Sequence, residues 1–129
     1  MNRKVLLLVM IAGLVFLNSC KLKEYKEKVE NTVISDIDLS NIRDGEFEGF
    51  YDCYLVKAKV KVRVKDNAIT GIELIEHENG KGKKGELVVP AVLEKQSLMV
   101  DTITGATASS KVILKAIELA LTGAASESN

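Results

Sequence analysis

Chemistry is scarce in this chain of 129 residues: it has no Trp, one His, one Pro and two Cys, and aromatics make up 5% of it. The single His77 has no Cys, His or carboxylate partner at ligand spacing, so no metal site is expected. No Ser, His and acidic residue stand in an order that suggests a hydrolytic triad. Charge of either sign is not in excess, with 18 basic and 18 acidic residues, which argues against a nucleic-acid partner. The longest apolar run, Val5 to Leu17, has thirteen residues. A helix that crosses a bilayer needs about 20.

That run follows a basic start, Arg3 and Lys4, in the layout of a secretory signal peptide. Its end, Leu17-Asn18-Ser19-Cys20, resembles the bacterial lipobox, in which signal removal leaves a lipidated cysteine at the N-terminus. The resemblance implies an anchor of more than one acyl chain on Cys20, enough for stable attachment to a membrane. An ordinary signal peptide, or an uncleaved anchor with an incidental Cys, is the alternative. Lipidation of Cys20 would leave Cys53 alone and exclude an intrachain disulfide, so the mature domain must hold together by packing, helped or not by a ligand. The mature chain of 110 residues keeps 16 basic against 18 acidic residues, a net charge of −2.

Residues 21–36 are dense in charge and read either as a solvated tether or as a short amphipathic helix carrying Leu22, Tyr25, Val29 and Val33. A domain over residues 37–122 follows, and residues 123–129 read as a disordered tail. "GEFEGFYD" (Gly45 to Asp52) alternates as a strand does. In "LVKAKVKVRVK", Ala58, Val60, Val62 and Val64 alternate with Lys57, Lys59, Lys61, Arg63 and Lys65, one apolar face and one basic face. The basic face reads as a solvated one paired with Glu73 or Glu76. Asp66-Asn67 supplies turn residues that tolerate positive φ, and "AITGIELIEH" returns as the third strand. Helical spacing recurs around Pro90, which must open or kink that helix. "SLMVDTI" reads as a short strand. "SSKVILKAIELAL" reads as a helix with Ile113, Ala116, Ile117, Ala120 and Leu121 on its buried side. The sum is a small α+β domain, an antiparallel sheet with two packed helices.

Gly80, Gly82 and Gly85 spell G-x-G-x-x-G, yet a hairpin precedes them and not a parallel βαβ unit, so the dinucleotide fingerprint fails. Cys53 has nothing near it to lower a thiol pKa. "DTITGATASS" (Asp101 to Ser110) is different, with five hydroxyl side chains in ten residues just ahead of the last helix. A helix N-terminus presents unpaired N–H groups and favours phosphate. Simple N-capping needs one hydroxyl, and needs neither Asp101 nor the Gly105-Ala106 pair.

Asp101-Thr102-Ile103-Thr104-Gly105-Ala106-Thr107 matches the pattern D-x-x-[S/T]-G-A-[S/T]. It resembles the flavinylation motif of the FMN-binding domain family, shared by the C subunit of the sodium-translocating NADH:quinone reductase and the G subunit of the Rnf complex. "DGEFEG", "VKDNAITGIELIEH" and "SSKVILKAIELAL" are also similar to that domain's successive segments, over about residues 37 to 122.

The resemblance implies that a flavin transferase takes FAD and attaches FMN through its phosphate to Thr107. Asp101 and Thr104 would belong to the motif it reads, with Gly105 and Ala106 giving access. Ser109 and Ser110 would be helix-start residues near the phosphate, and His77 a contact to the flavin. Together with the lipobox at Cys20, it implies an electron carrier without its own substrate, lipid-anchored on the outer face of the cell membrane and reduced by a membrane protein. A non-covalent FMN or nucleotide module, and a structural surface lipoprotein without cofactor, are the competing readings.

Overall fold

In a computed structural model, residues 2–80 and 82–126 are described; Met1, Lys81 of the glycine-rich loop and residues 127–129 of the tail lie outside them. A helix, α1 (Arg3–Asn31), precedes three strands, β1 (Gly45–Cys53), β2 (Val56–Lys65) and β3 (Ala68–Glu78), and two further helices, α2 (Val88–Lys95) and α3 (Thr107–Ser126). The strands form one antiparallel sheet in the order β1-β2-β3. The fold is the expected small α+β arrangement.

Period two decides the sheet. Ala58, Val60, Val62 and Val64 of β2 are all buried, while the intervening Lys and Arg side chains face outward between acidic rows. Register sets Lys61 opposite Glu48 on β1 and Glu73 on β3. Lys57 pairs with Glu76 and Glu78 at 3.7 and 3.4 Å, and Lys59 with Glu48 at 3.5 Å. Lys57 and Lys59 of the basic stripe are thus paired with acidic side chains of the neighbouring strands. Asp66 and Asn67 make the β2–β3 turn with φ of 51° and 61°, the left-handed pair that a two-residue hairpin requires.

Helix α3 covers the apolar face of β1 and β2, and α2 packs against β3. Val112, Ile113, Ile117 and Leu121 of α3 meet Phe47, Cys53 and the β2 valines in one core. Cys53 is fully buried, and burial pushes its thiol above the ordinary range despite Lys28 nearby. Pro90 is the third residue of α2, where no helical N–H bond is lost. It opens the helix and does not kink it.

Two expectations change. "SLMVDTI" pairs with no strand, and among the described residues the sheet stops at β3. Near the start of the β3 edge the Gln96 side chain pairs with the backbone instead: its Oε1 accepts from Ile69 N–H at 2.7 Å and its Nε2 donates to Ile69 C=O at 2.9 Å. The last helix also runs past Thr122 to Ser126, since Ala124 is buried and extends the apolar stripe.

The approach of α3 to β1 depends on Gly49. A Cβ there would lie 1.9 Å from Ala116 O and 2.7 Å from Ala120 N, both helix backbone. Gly49→Ala is expected to cost about 2–3 kcal/mol by overpacking. Gly123→Ala, with nothing within 4 Å, should gain about 0.5–1 kcal/mol in an exposed helix interior. Urea unfolding of the two variants checks both signs.

Candidate functional site

The hydroxyl-rich segment divides sharply in the fold. Thr102, Thr104 and Thr107 are exposed, whereas Ser109 and Ser110 are buried. Ser110 Oγ accepts from Ile103 N–H at 3.0 Å and donates to Ala106 C=O at 2.7 Å. Ala106 N–H bonds Ile103 C=O at 2.9 Å. Residues 103–106 are therefore a closed turn pinned to the first turn of α3. Gly105 sits in this turn at φ +81°, left-handed backbone that a side chain would strain, and faces open space.

The helix start is unusual. Ser110 N–H bonds Ala106 C=O at 2.9 Å, so Ala106 occupies the N-cap position and Thr107 is the first helical residue. A methyl group stands where Ser, Thr, Asp or Asn normally caps. The N–H groups of Thr107, Ala108 and Ser109 are left without that cap, beside an exposed Thr107 hydroxyl.

Ser109 faces inward. Its Oγ lies 3.1 Å from His77 Nε2, and His77 Nδ1 lies 3.0 Å from Glu86 Oε1. The His77 side chain is 2% exposed, with each ring nitrogen in contact with another side chain of the domain. The array ties β3, the turn Lys83–Leu87 and α3 together. The glycine-rich loop completes the tie: a Cβ on Gly82 would lie 2.3 Å from Ser109 Oγ, and one on Gly85 would lie 2.6 Å from Ser109 Cβ. Two glycines of the failed dinucleotide pattern thus let this loop lie against the helix start. Lys83 and Lys84 on the same turn are exposed.

Upstream, Asp36 secures the segment that leads to the motif. Its carboxylate accepts from Ser97 Oγ at 2.8 Å, Leu98 N–H at 3.1 Å and Ile37 N–H at 3.0 Å. Desolvation raises its pKa, but these bonds and Lys95 bring it below the ordinary carboxylate value. Asp101 is exposed and lines a groove of about 410 Å³ with Ala91, Glu94, Lys95, Met99 and Val100. Sequence reasoning missed Asp36, Glu86 and Gln96, since nothing in local spacing marks polar residues whose partners lie far along the chain.

The structure therefore gathers Thr104, Gly105, Ala106 and Thr107 around one helix end and puts His77, Ser109 and Ser110 beneath it as supports. An exposed hydroxyl, uncapped N–H groups and a glycine facing open space fit a phosphate at Thr107. Removing His77 should leave Glu86 and Ser109 without their partner. His77→Ala is expected to lower stability by about 2–3 kcal/mol, and Ser109→Ala by about 1 kcal/mol. A double-mutant cycle in thermal unfolding should show the pair coupled by more than about 0.5 kcal/mol.

No protein of curated function and no solved structure matches the chain. The FMN-binding domain family matches residues 54–122, more than half of the chain, a span that includes the motif, His77, Glu86, Ser109 and Ser110. Sheet, helix end and motif agree with that match, and the chain belongs to the FMN-binding domain family, with FMN as its cofactor.

Proposed function

We propose that this flavoprotein is an extracytoplasmic electron carrier holding FMN through a phosphoester on Thr107. The observation that carries the reading is the helix start: Thr107 offers an exposed hydroxyl at the first position of α3, where Ala106 supplies no cap. A flavin transferase would catalyse the attachment. Thr107 Oγ attacks the FMN phosphorus of FAD, the bond between the two phosphorus atoms through oxygen breaks, AMP leaves, and the hydroxyl proton is released. The N–H groups of Thr107, Ala108 and Ser109 would hold the phosphate of the attached FMN.

FMN, once bound, supplies the redox chemistry; the chain positions it. A phosphoester keeps the cofactor at high effective concentration even over a shallow surface, which suits an exported protein with no pool of free flavin around it. No general acid or base is required of the chain, and the buried His77 is committed to Glu86 and Ser109. Cys20, exposed on α1, is the lipidation residue in this reading, and the donor is a protein of the same membrane.

Thr107 is exposed, so Thr107→Ala should change stability by no more than about 0.5 kcal/mol. Co-expressed with a flavin transferase, the parent and Thr107→Ser proteins should show flavin fluorescence that survives a denaturing gel. The Thr107→Ala protein should show none. Flavin that leaves every variant on denaturation would mean non-covalent binding, and colourless protein throughout would remove the carrier reading.

A further inference from the structure

The two ends of the sheet differ in kind. At one end the β2–β3 turn carries Asp66 and Asn67. At the other, the β1–β2 turn carries Tyr54 and Leu55, which are 59% and 54% exposed. Tyr54 sits there at φ +63°, where Gly or Asn is the low-strain choice. The turn is held by Tyr54 N–H to Asp52 Oδ1 at 2.8 Å and Leu55 N–H to Cys53 C=O at 2.8 Å. Two large apolar side chains are thus displayed at some conformational cost, and neither is used by the core.

The C-terminal part of α1 docks beside this turn and is not a free linker. Tyr25 and Val29 pack on the core. Lys28 donates to Asp52 C=O and lies 4.8 Å above the Tyr54 ring and 5.3 Å above the Tyr51 ring. Thr32 Oγ1 meets Tyr51 OH at 2.9 Å, and Lys111 Nζ donates to Val29 C=O at 3.2 Å. Further back along α1, Lys21 and Glu24 share a cavity of about 480 Å³ with Asp52, Tyr54 and Leu55. Glu24 is four residues from Cys20, about 6 Å along a helix. A lipid on Cys20 would therefore hold the domain within about one helical turn of the bilayer, with the Tyr54-Leu55 turn alongside.

The helix start lies at this same end. Register pairs Ala58, near the start of β2, with His77 near the end of β3, and His77 bonds Ser109. Strand β2 has ten residues and is roughly 30 Å long, so the choice of end decides whether Thr107 is near the membrane or far from it.

We propose that Tyr54 and Leu55 form a lipid-contact surface seated at headgroup level in the bilayer that anchors Cys20, so that the domain stands with the start of α3 toward the membrane. Tyr suits that depth, with an apolar ring and a polar tip. The proposal rests on the reading of Cys20 as the lipidated residue and deepens it: the anchor fixes an orientation as well as a location, and a flavin on Thr107 would face electron donors in the membrane plane.

The chain has no Trp, so a single introduced Trp is a clean reporter. Full chains carrying Tyr54→Trp, Leu55→Trp or, at the opposite end, Thr70→Trp would be expressed in a bacterium that lipidates exported proteins. Mass would establish acylation of Cys20. Each protein would then be reconstituted in vesicles of phosphatidylglycerol and brominated phosphatidylcholine. Tyr54→Trp and Leu55→Trp fluorescence should be quenched about twofold or more, as for a ring buried some 5–10 Å into the interface, and Thr70→Trp fluorescence should not. Equal quenching of all three, or quenching of none, would overturn the proposal. If Cys20 carries no acyl group, the anchor reading fails by itself. Coupling the exposed Cys20 thiol to a maleimide phospholipid, which the buried Cys53 cannot take up, then decides the surface by the same comparison. No flavin enters the assay, so its outcome is independent of the chemistry at Thr107.

Discussion

The site depends on how the first turn of α3 is held. Two buried hydroxyls fix it: Ser110 closes the turn that carries Gly105 and Ala106, and Ser109 reaches His77 and, through it, Glu86. Buried polar groups are costly without partners, and here each has one; among the described residues no buried side-chain nitrogen or oxygen lacks a hydrogen bond. Gly82 and Gly85 let the loop lie directly against Ser109. With the helix start fixed in this way, Thr104, Gly105 and Thr107 are displayed at the surface without needing contacts of their own.

This division of labour explains why a short motif suffices. A helix that began with its own N-cap side chain would satisfy its first N–H groups internally. With Ala106 at that position the groups remain available to an incoming phosphate, and the adjacent Thr107 hydroxyl is where a phosphorus atom would be bound in the proposed attachment. The rest of the domain has a different task, which is to keep α3 in place on the sheet. Gly49 permits the close approach, and the β2 valines supply the buried face.

Much of this was legible in the sequence. Period two in Ala58 to Val64 gave the central strand and its face, Asp66-Asn67 its turn, and Ile113 to Leu121 the buried side of the last helix. The motif lies at the start of that helix. What escaped notice was non-local. The composition of "SLMVDTI" suits a strand, but a strand also needs a partner edge, and at Ile69 the backbone of β3 is already bonded to the Gln96 side chain. The contacts of His77 to Glu86 and Ser109 are invisible in the sequence because these partners lie 9 and 32 residues away. Residues 21–36 read as a charged tether, but α1 continues to Asn31; the docking through Lys28, Thr32 and Lys111 comes from side chains far apart in the chain.

The central claim is a single covalent bond at one hydroxyl among several that are exposed. It is tested most directly by intact mass of the exported protein from cells containing the flavin transferase, followed by mapping of any added mass onto peptides. The account predicts one FMN phosphoester per chain, located on Thr107. An unmodified chain, or an added flavin located on Thr102, Thr104 or any other residue, would contradict it.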